Sequence, residues 1–157
     1  MRTILFAMLF FGAASAMNAM AADSADDVPR AVFHHIRVDA RPAHGYWTET
    51  RVDIKGGSRY IVTVAQDAGE WVTNPWWKGR LGVGSTQYSK AGRTYLLPGA
   101  PEGALIGKVG NDGHPFLIGN GALTPAGVSG KLFLTTNDEP KGFADNSGTL
   151  WVDVYAY

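Results

Sequence analysis

The residues with most chemistry to offer lie close to the C-terminus, in Asn137-Asp138-Glu139-Pro140-Lys141-Gly142-Phe143-Ala144-Asp145-Asn146-Ser147-Gly148. Side-chain oxygens come from Asn137, Asp138, Asp145, Asn146 and Ser147, and Gly and Pro allow the backbone to bend. Calcium takes six to eight oxygens from carboxylates, amides and backbone carbonyls, and two carboxylates offset its double charge. Magnesium suits such a loop less well, because it prefers a rigid octahedron and keeps its water. Asn, Asp, Gly and Pro are also what a hairpin turn requires, and Lys141 places a cation inside the loop. On composition alone the polar turn is the stronger reading.

Other candidate chemistry is thinner. His34, His35 and His44 cluster in sequence, but adjacent residues of a strand point to opposite faces, so His34 and His35 cannot share an ion. Asp138-Glu139 are neighbours, whereas a glycosidase needs two carboxyls facing each other across a cleft. The chain contains no HExxH, no GxSxG and no EF-hand loop. Gly103 to Lys108 ends in Gly-Lys-Val and lacks the Ser or Thr that a phosphate loop uses for magnesium. No enzyme is expected. Zero Cys excludes thiol catalysis, disulfide scaffolds and iron–sulfur clusters. Lys plus Arg and Asp plus Glu are 14 each, and a neutral surface argues against nucleic acid.

The elements that must position these groups read as β structure. Val32, His34, Ile36 and Val38 alternate with Phe33, His35 and Arg37. Tyr60, Val62 and Val64 alternate with Ile61, Thr63 and Ala65. Trp71 opens a further run that stops at Asn74-Pro75. Ala104 to Val109, Phe116 to Ile118 and Lys131 to Thr136 follow, and Leu150, Val152 and Val154 close the chain against Trp151, Asp153 and Tyr155. With 20 Gly and 8 Pro as punctuation, the pattern predicts an all-β jelly-roll sandwich. Residues 79 to 103 form one long excursion of the kind that carries binding function. Trp71 and Trp151 are expected in the core, and Trp47 is expected to be structural. Trp76 and Trp77 either lid one end or offer an indole face to a sugar.

Residues 1–21 read as a signal peptide. Met1-Arg2 is followed by an apolar run and by small residues that fit cleavage after Ala16 or Ala21. Asn18 interrupts the run before it reaches membrane-spanning length, so no membrane span is expected. A polar tail covers 22–30 and a single domain 31–157, in a protein destined for a periplasm or for secretion.

Several segments are shared with a known family. They are Trp47-Thr48-Glu49-Thr50, Val52-Asp53-Ile54-Lys55-Gly56-Gly57, Gly69-Glu70-Trp71 with Asn74-Pro75, and Pro98 to Gly110. Phe116-Leu117-Ile118-Gly119, Gly130 to Leu134, Asn137-Asp138 and Asp145-Asn146-Ser147-Gly148 complete the set. In this order the chain resembles the PA-I-like galactophilic lectins, which have a galactose-binding-like β-sandwich. The resemblance implies a Ca2+ ion in the last loop and a carbohydrate whose vicinal hydroxyls bind that ion. It implies side-chain ligands Asp138, Asp145 and Asn146, and carbonyl ligands Gly142 and Asn74. Asp138, Gly142 and Asn146 would also meet the sugar, with Trp76 or Trp77 beside it. It reverses the preference for a plain turn, and it leaves room for a homo-oligomer. Gly142 stands where the family has Thr, and residues 85 to 97 contain no His, which removes the support for galactose specificity. The alternative is a structural or adhesion sandwich that has lost sugar binding.

Overall fold

The computed structural model describes residues 32–73 and 90–156. The signal peptide, the tail at 22–30, Asn74, Trp76, Trp77 and the first part of the long excursion lie outside the described residues.

Among the described residues, eight strands form two four-stranded antiparallel sheets. They are β1 (Val32–Asp39), β2 (Thr48–Ile54), β3 (Tyr60–Val72), β4 (Leu105–Val109), β5 (Phe116–Leu117), β6 (Gly121–Leu123), β7 (Gly130–Thr136) and β8 (Ser147–Ala156). One sheet runs β1-β8-β3-β6 and the other β2-β7-β4-β5. Apart from the β4–β5 hairpin, consecutive strands cross between sheets, in the double Greek-key order of a jelly roll. The alternation of β1, β3 and β8 sets this arrangement. Val38, Val62, Leu150, Val152 and Val154 turn inward and meet Val52, Ile54, Leu105, Leu132 and Leu134 from the facing sheet. Each fully buried aliphatic side chain contributes about 1.5–3 kcal/mol relative to exposure.

Three expectations change. The run beginning at Trp71 is not a separate strand, because it continues β3, whose register against β8 shifts between Val64 and Gly69. That bulge reverses the face parity, so Ala65 and Ala68 are buried while Gln66 and Asp67 are exposed. Trp151 is not in the core. It lies on the outer face, stacked on His35 at 4.5 Å with the rings 4° from parallel. His35 Nδ1 is also 2.7 Å from Asp153 Oδ1, while His34 points to the opposite face as the strand period requires. Strands β2 and β6 join the six regions that the sequence outlined.

Trp71 is buried as expected, and its Nε1 donates to the Gly103 carbonyl at 3.0 Å. Trp47 is half-buried beneath the Lys108 ammonium, 5.1 Å from the ring centroid. Beside Trp71 the strands β3 and β8 approach closely through Gly148, whose φ is +91°. A Cβ at Gly148 would sit 2.8 Å from Trp71 Cα and closer still to the Glu70 carbonyl. Gly148→Ala is therefore expected to cost about 3 kcal/mol, read as a lowered urea midpoint with an unchanged slope.

Candidate functional site

The loop from Asn137 to Asn146 joins β7 to β8, so both ends are fixed by strands of opposite sheets. Asn137 is fully buried, and it is not positioned as an ion ligand. Its Oδ1 accepts from Leu97 N at 2.9 Å, and its Nδ2 donates to the carbonyls of Leu97 at 3.0 Å and Pro101 at 3.1 Å. Its backbone bonds Ala104 and Gly103. This one side chain staples the described part of the long excursion onto the C-terminal loop. Leu96 N adds a bond to the Asp138 carbonyl at 3.0 Å.

Asp138 follows, with only 4% of its surface exposed. Oδ1 accepts the Glu139 N–H at 2.7 Å, whereas Oδ2 is buried with no partner in hydrogen-bonding geometry, although the Asn146 side chain lies near enough to stabilise the carboxylate. Gly142 permits this position, since a Cβ there would lie 2.7 Å from Asp138 Oδ1. The carboxylate therefore occupies space that a Thr side chain at 142 would contest. Gly142 caps a single turn of 3-10 helix, Phe143–Asp145, and its carbonyl accepts Asp145 N at 3.3 Å, leaving one lone pair.

Asn146 closes the loop. Its Nδ2 donates to the Ala40 carbonyl at 3.2 Å, which directs Oδ1 elsewhere, and that oxygen is buried without a partner. The connection between β1 and β2 holds the loop from behind. Ala40 N bonds the Gly148 carbonyl, Arg41 bonds the Ala144 carbonyl at 3.1 Å, and Tyr46 packs its ring 5.2 Å from that of buried Phe143.

The electrostatics favour a cation. Burial pushes the Asp138 carboxyl up to about 6. The Glu139 N–H and the Asn146 side chain pull the other way, and the charges of Asp145 and Glu102 add to the rise. Tyr95 is driven well above the usual phenol range, first by burial, then by its hydrogen bond to Glu102 and the nearby charges of Glu102, Asp138 and Glu139. Negative potential thus accumulates around two orphaned buried oxygens. Lys141 does not cancel it at Asp138, because its ammonium is exposed and paired with Glu139 Oε2 at 3.7 Å.

The structure brings Asp138, Gly142 and Asn146 together. Asp145 is exposed on the same loop, near enough to act on Asp138. Asn74, Trp76 and Trp77 lie outside the described residues. Among the described residues no three His, Cys, Asp or Glu side chains gather as a metal cluster. The set on this loop differs in kind, with carboxylate, amide and carbonyl oxygens mixed, which is the donor chemistry of a hard cation. Glu139 turns toward the Thr94 hydroxyl at 3.1 Å and does not face Asp138 across a cleft. Arg41, Glu102 and Tyr95 were missed by sequence reasoning, since nothing in their spacing ties them to the last loop.

The jelly-roll sandwich is an architecture that lectin domains share with other proteins. Residues 61–156 match the PA-IL-like protein family, and the chain belongs to that family, which is one of lectins and not of enzymes. The fold is similar to a solved structure described as "EclA N-terminal domain; PllA-like lectin", with a TM-score of 0.58 and 21% identity. That likeness covers 81% of this chain and 98% of the other. No curated protein matches the chain.

Proposed function

We propose that the protein is an exported lectin that binds carbohydrate through a calcium ion held by its last loop. The observation that carries this reading is the pair of buried, unpartnered oxygens, Asp138 Oδ2 and Asn146 Oδ1. A buried polar atom without a partner costs about 1–3 kcal/mol, and a buried charge costs more. A cation beside them would remove both penalties. Asp138, Asp145 and Asn146 would supply side-chain oxygens, and Gly142 and Asn74 would supply carbonyls. When bound, the ion offers coordination positions at which sugar hydroxyls replace water.

The residues around the ion do the rest. Asp138 would accept a hydrogen bond from a bound hydroxyl, and an indole from Trp76 or Trp77, which lie outside the described residues, would suit the apolar face of a sugar. Gly142 brings no hydroxyl of its own, so the preferred sugar need not be galactose. Location in a periplasm or outside the cell follows from the reading of residues 1–21, and association of copies would raise avidity without new contacts.

A glycan array run with calcium and with chelator tests the reading. Signal present with calcium and lost with chelator supports it. Absence of signal under both conditions supports the adhesion scaffold instead. Asp145→Ala provides a separate check. Because Asp145 is exposed, the variant is expected to fold normally while calcium affinity falls at least tenfold, measured by the calcium dependence of the melting temperature.

A further inference from the structure

Where the chain passes from β1 to β2, and so from one sheet to the other, it encloses a hollow of about 450 Å³, in the range of small-molecule sites. The strand period builds one side of it. Trp47, just before β2, and Glu49 are two residues apart and share the outer face, where Glu49 pairs with Phe133 of β7 and Phe133 with Lys108 of β4. Half-buried Trp47, buried Phe133 and Pro42 line the hollow with apolar surface. The Lys108 ammonium, 5.1 Å from the Trp47 ring centroid and 5.2 Å from that of Phe133, holds both rings without lining the hollow. Asp39 at the end of β1, His44 and Glu49 supply polar groups. The connection itself is anchored, since Arg41 and Tyr46 dock on the last loop. Neither of these two, nor any residue from 137 to 146, lines the hollow, so it is separate from the proposed ion site. Apart from Phe133, its lining residues precede the stretch 61–156 that matches the lectin family.

The charges in this hollow are already matched. Asp39 Oδ1 lies 2.8 Å from Arg37 Nη2, and Glu49 Oε1 lies 3.5 Å from Lys131 Nζ, with neither cation among the lining residues. Each contact uses one oxygen, and the other oxygen of each carboxylate can accept a hydrogen bond from a ligand. A ligand cation would gain little where both negative charges have partners and Lys108 stands near, while a ligand anion would face two carboxylates. What suits the hollow is a neutral molecule with hydroxyl donors on one side and C–H surface on the other. We propose that it is a second sugar site, which takes a neutral pyranose without an ion. The apolar ring face lies on Trp47, and the hydroxyls meet Asp39, Glu49 and His44. This site goes beyond the lectin reading above and does not depend on the calcium loop. Two sites on one chain would raise avidity for a glycan surface.

Without an ion, one sugar is expected to bind weakly, with a Kd of about 1 mM or above, which washes off an array. The test is therefore chemical-shift mapping in solution, on isotope-labelled protein kept in chelator. The probes are methyl glycosides of glucose, galactose and mannose, then methyl glucuronide as an anion and tetramethylammonium as a cation. At least one neutral glycoside is expected to move the Trp47 indole signal and the His44 and Glu49 amides, and the charged probes to leave them in place. In a His44→Ala/Glu49→Gln variant, altered only at exposed positions, affinity for that glycoside should fall at least tenfold while the melting temperature and its response to calcium stay unchanged. No shift at these positions with any neutral glycoside overturns the second site, as do shifts that survive in the variant or a stronger response to tetramethylammonium. Sugar binding seen only with calcium refutes the second site and leaves the calcium reading standing. Shifts at Trp47 in a protein that takes up no calcium do the reverse.

Discussion

Asp138→Asn is expected to stabilise the calcium-free protein at pH 7 and to abolish its response to calcium. The carboxyl titrates at about 6 in the fold against 3.8 for an ordinary aspartate, so folding binds a proton more tightly than the unfolded chain does. The stability linked to that proton is fully present below pH 3.8. It is lost as pH rises through 6, at a cost on the order of 3 kcal/mol for this buried group. Asn keeps the acceptor for the Glu139 N–H and carries no charge. Chelator-treated wild-type protein should therefore melt higher at pH 5 than at pH 7, whereas Asp138→Asn should show a much flatter profile over that window. Calcium requires the ionised carboxylate, so its affinity for the wild-type protein should fall as pH drops through about 6. Thermal melts at the two pH values, with and without chelator, check each part. A calcium-free variant less stable than wild type at pH 7 contradicts the electrostatic argument.

The second large effect belongs to Asn137. Removal of its side chain by Asn137→Ala leaves Leu97 N without its partner and takes one of two bonds from each carbonyl, since the Leu97 carbonyl keeps Ala100 N and the Pro101 carbonyl keeps Ala104 N. At about 1–3 kcal/mol for the orphaned amide, with about 1 kcal/mol for the two weakened carbonyls together, the expected loss is about 2–4 kcal/mol. Calcium affinity should fall as well, because Asn137 adjoins Asp138 and fixes the loop that Leu96 ties to it. Asn137→Asp retains the acceptor but not the two donations, and it buries a charge, so it is expected to be at least as damaging. Urea unfolding distinguishes this staple from a metal ligand. A ligand's loss disappears in chelator, whereas the loss at Asn137 persists there.

The same loop shows what sequence could and could not convey. Alternation revealed β1 and β8 because one face of each is buried, so polar and apolar residues separate cleanly. Strand β2 escaped because Thr50 takes an inward position in Thr-Glu-Thr-Arg-Val-Asp-Ile, where its hydroxyl bonds the Leu132 carbonyl, and a buried Thr breaks the apolar signal. Trp151 was misplaced by residue type, although its parity against Leu150 and Val152 already put it on the outer face. Trp71 belonged to β3, but the bulge at 65–68 interrupts the period that would have joined the two halves.

At the site, the sharing of one loop by Asp138, Gly142 and Asn146 was legible from their closeness in sequence, and Asp138 and Asn146 also match a family pattern from which Gly142 departs. The division of labour between Asn137 and Asn146 was not legible. Both are buried amides, and only the packing of Leu97, Pro101 and Ala40 decides which oxygens are used up and which remain open. Contributions from remote segments, such as Arg41 behind the loop and Glu102 beside it, depend on which connections fold against the last hairpin. Chain order carries no such information.

The proposal turns on whether one loop of this sandwich takes up a divalent ion. Isothermal titration of calcium into chelator-stripped protein at pH 7.5 asks this directly. We expect a single binding event per chain, absent in Asp138→Asn and weakened in Asp145→Ala. No heat at millimolar calcium, together with an unmoved melting temperature, contradicts the account.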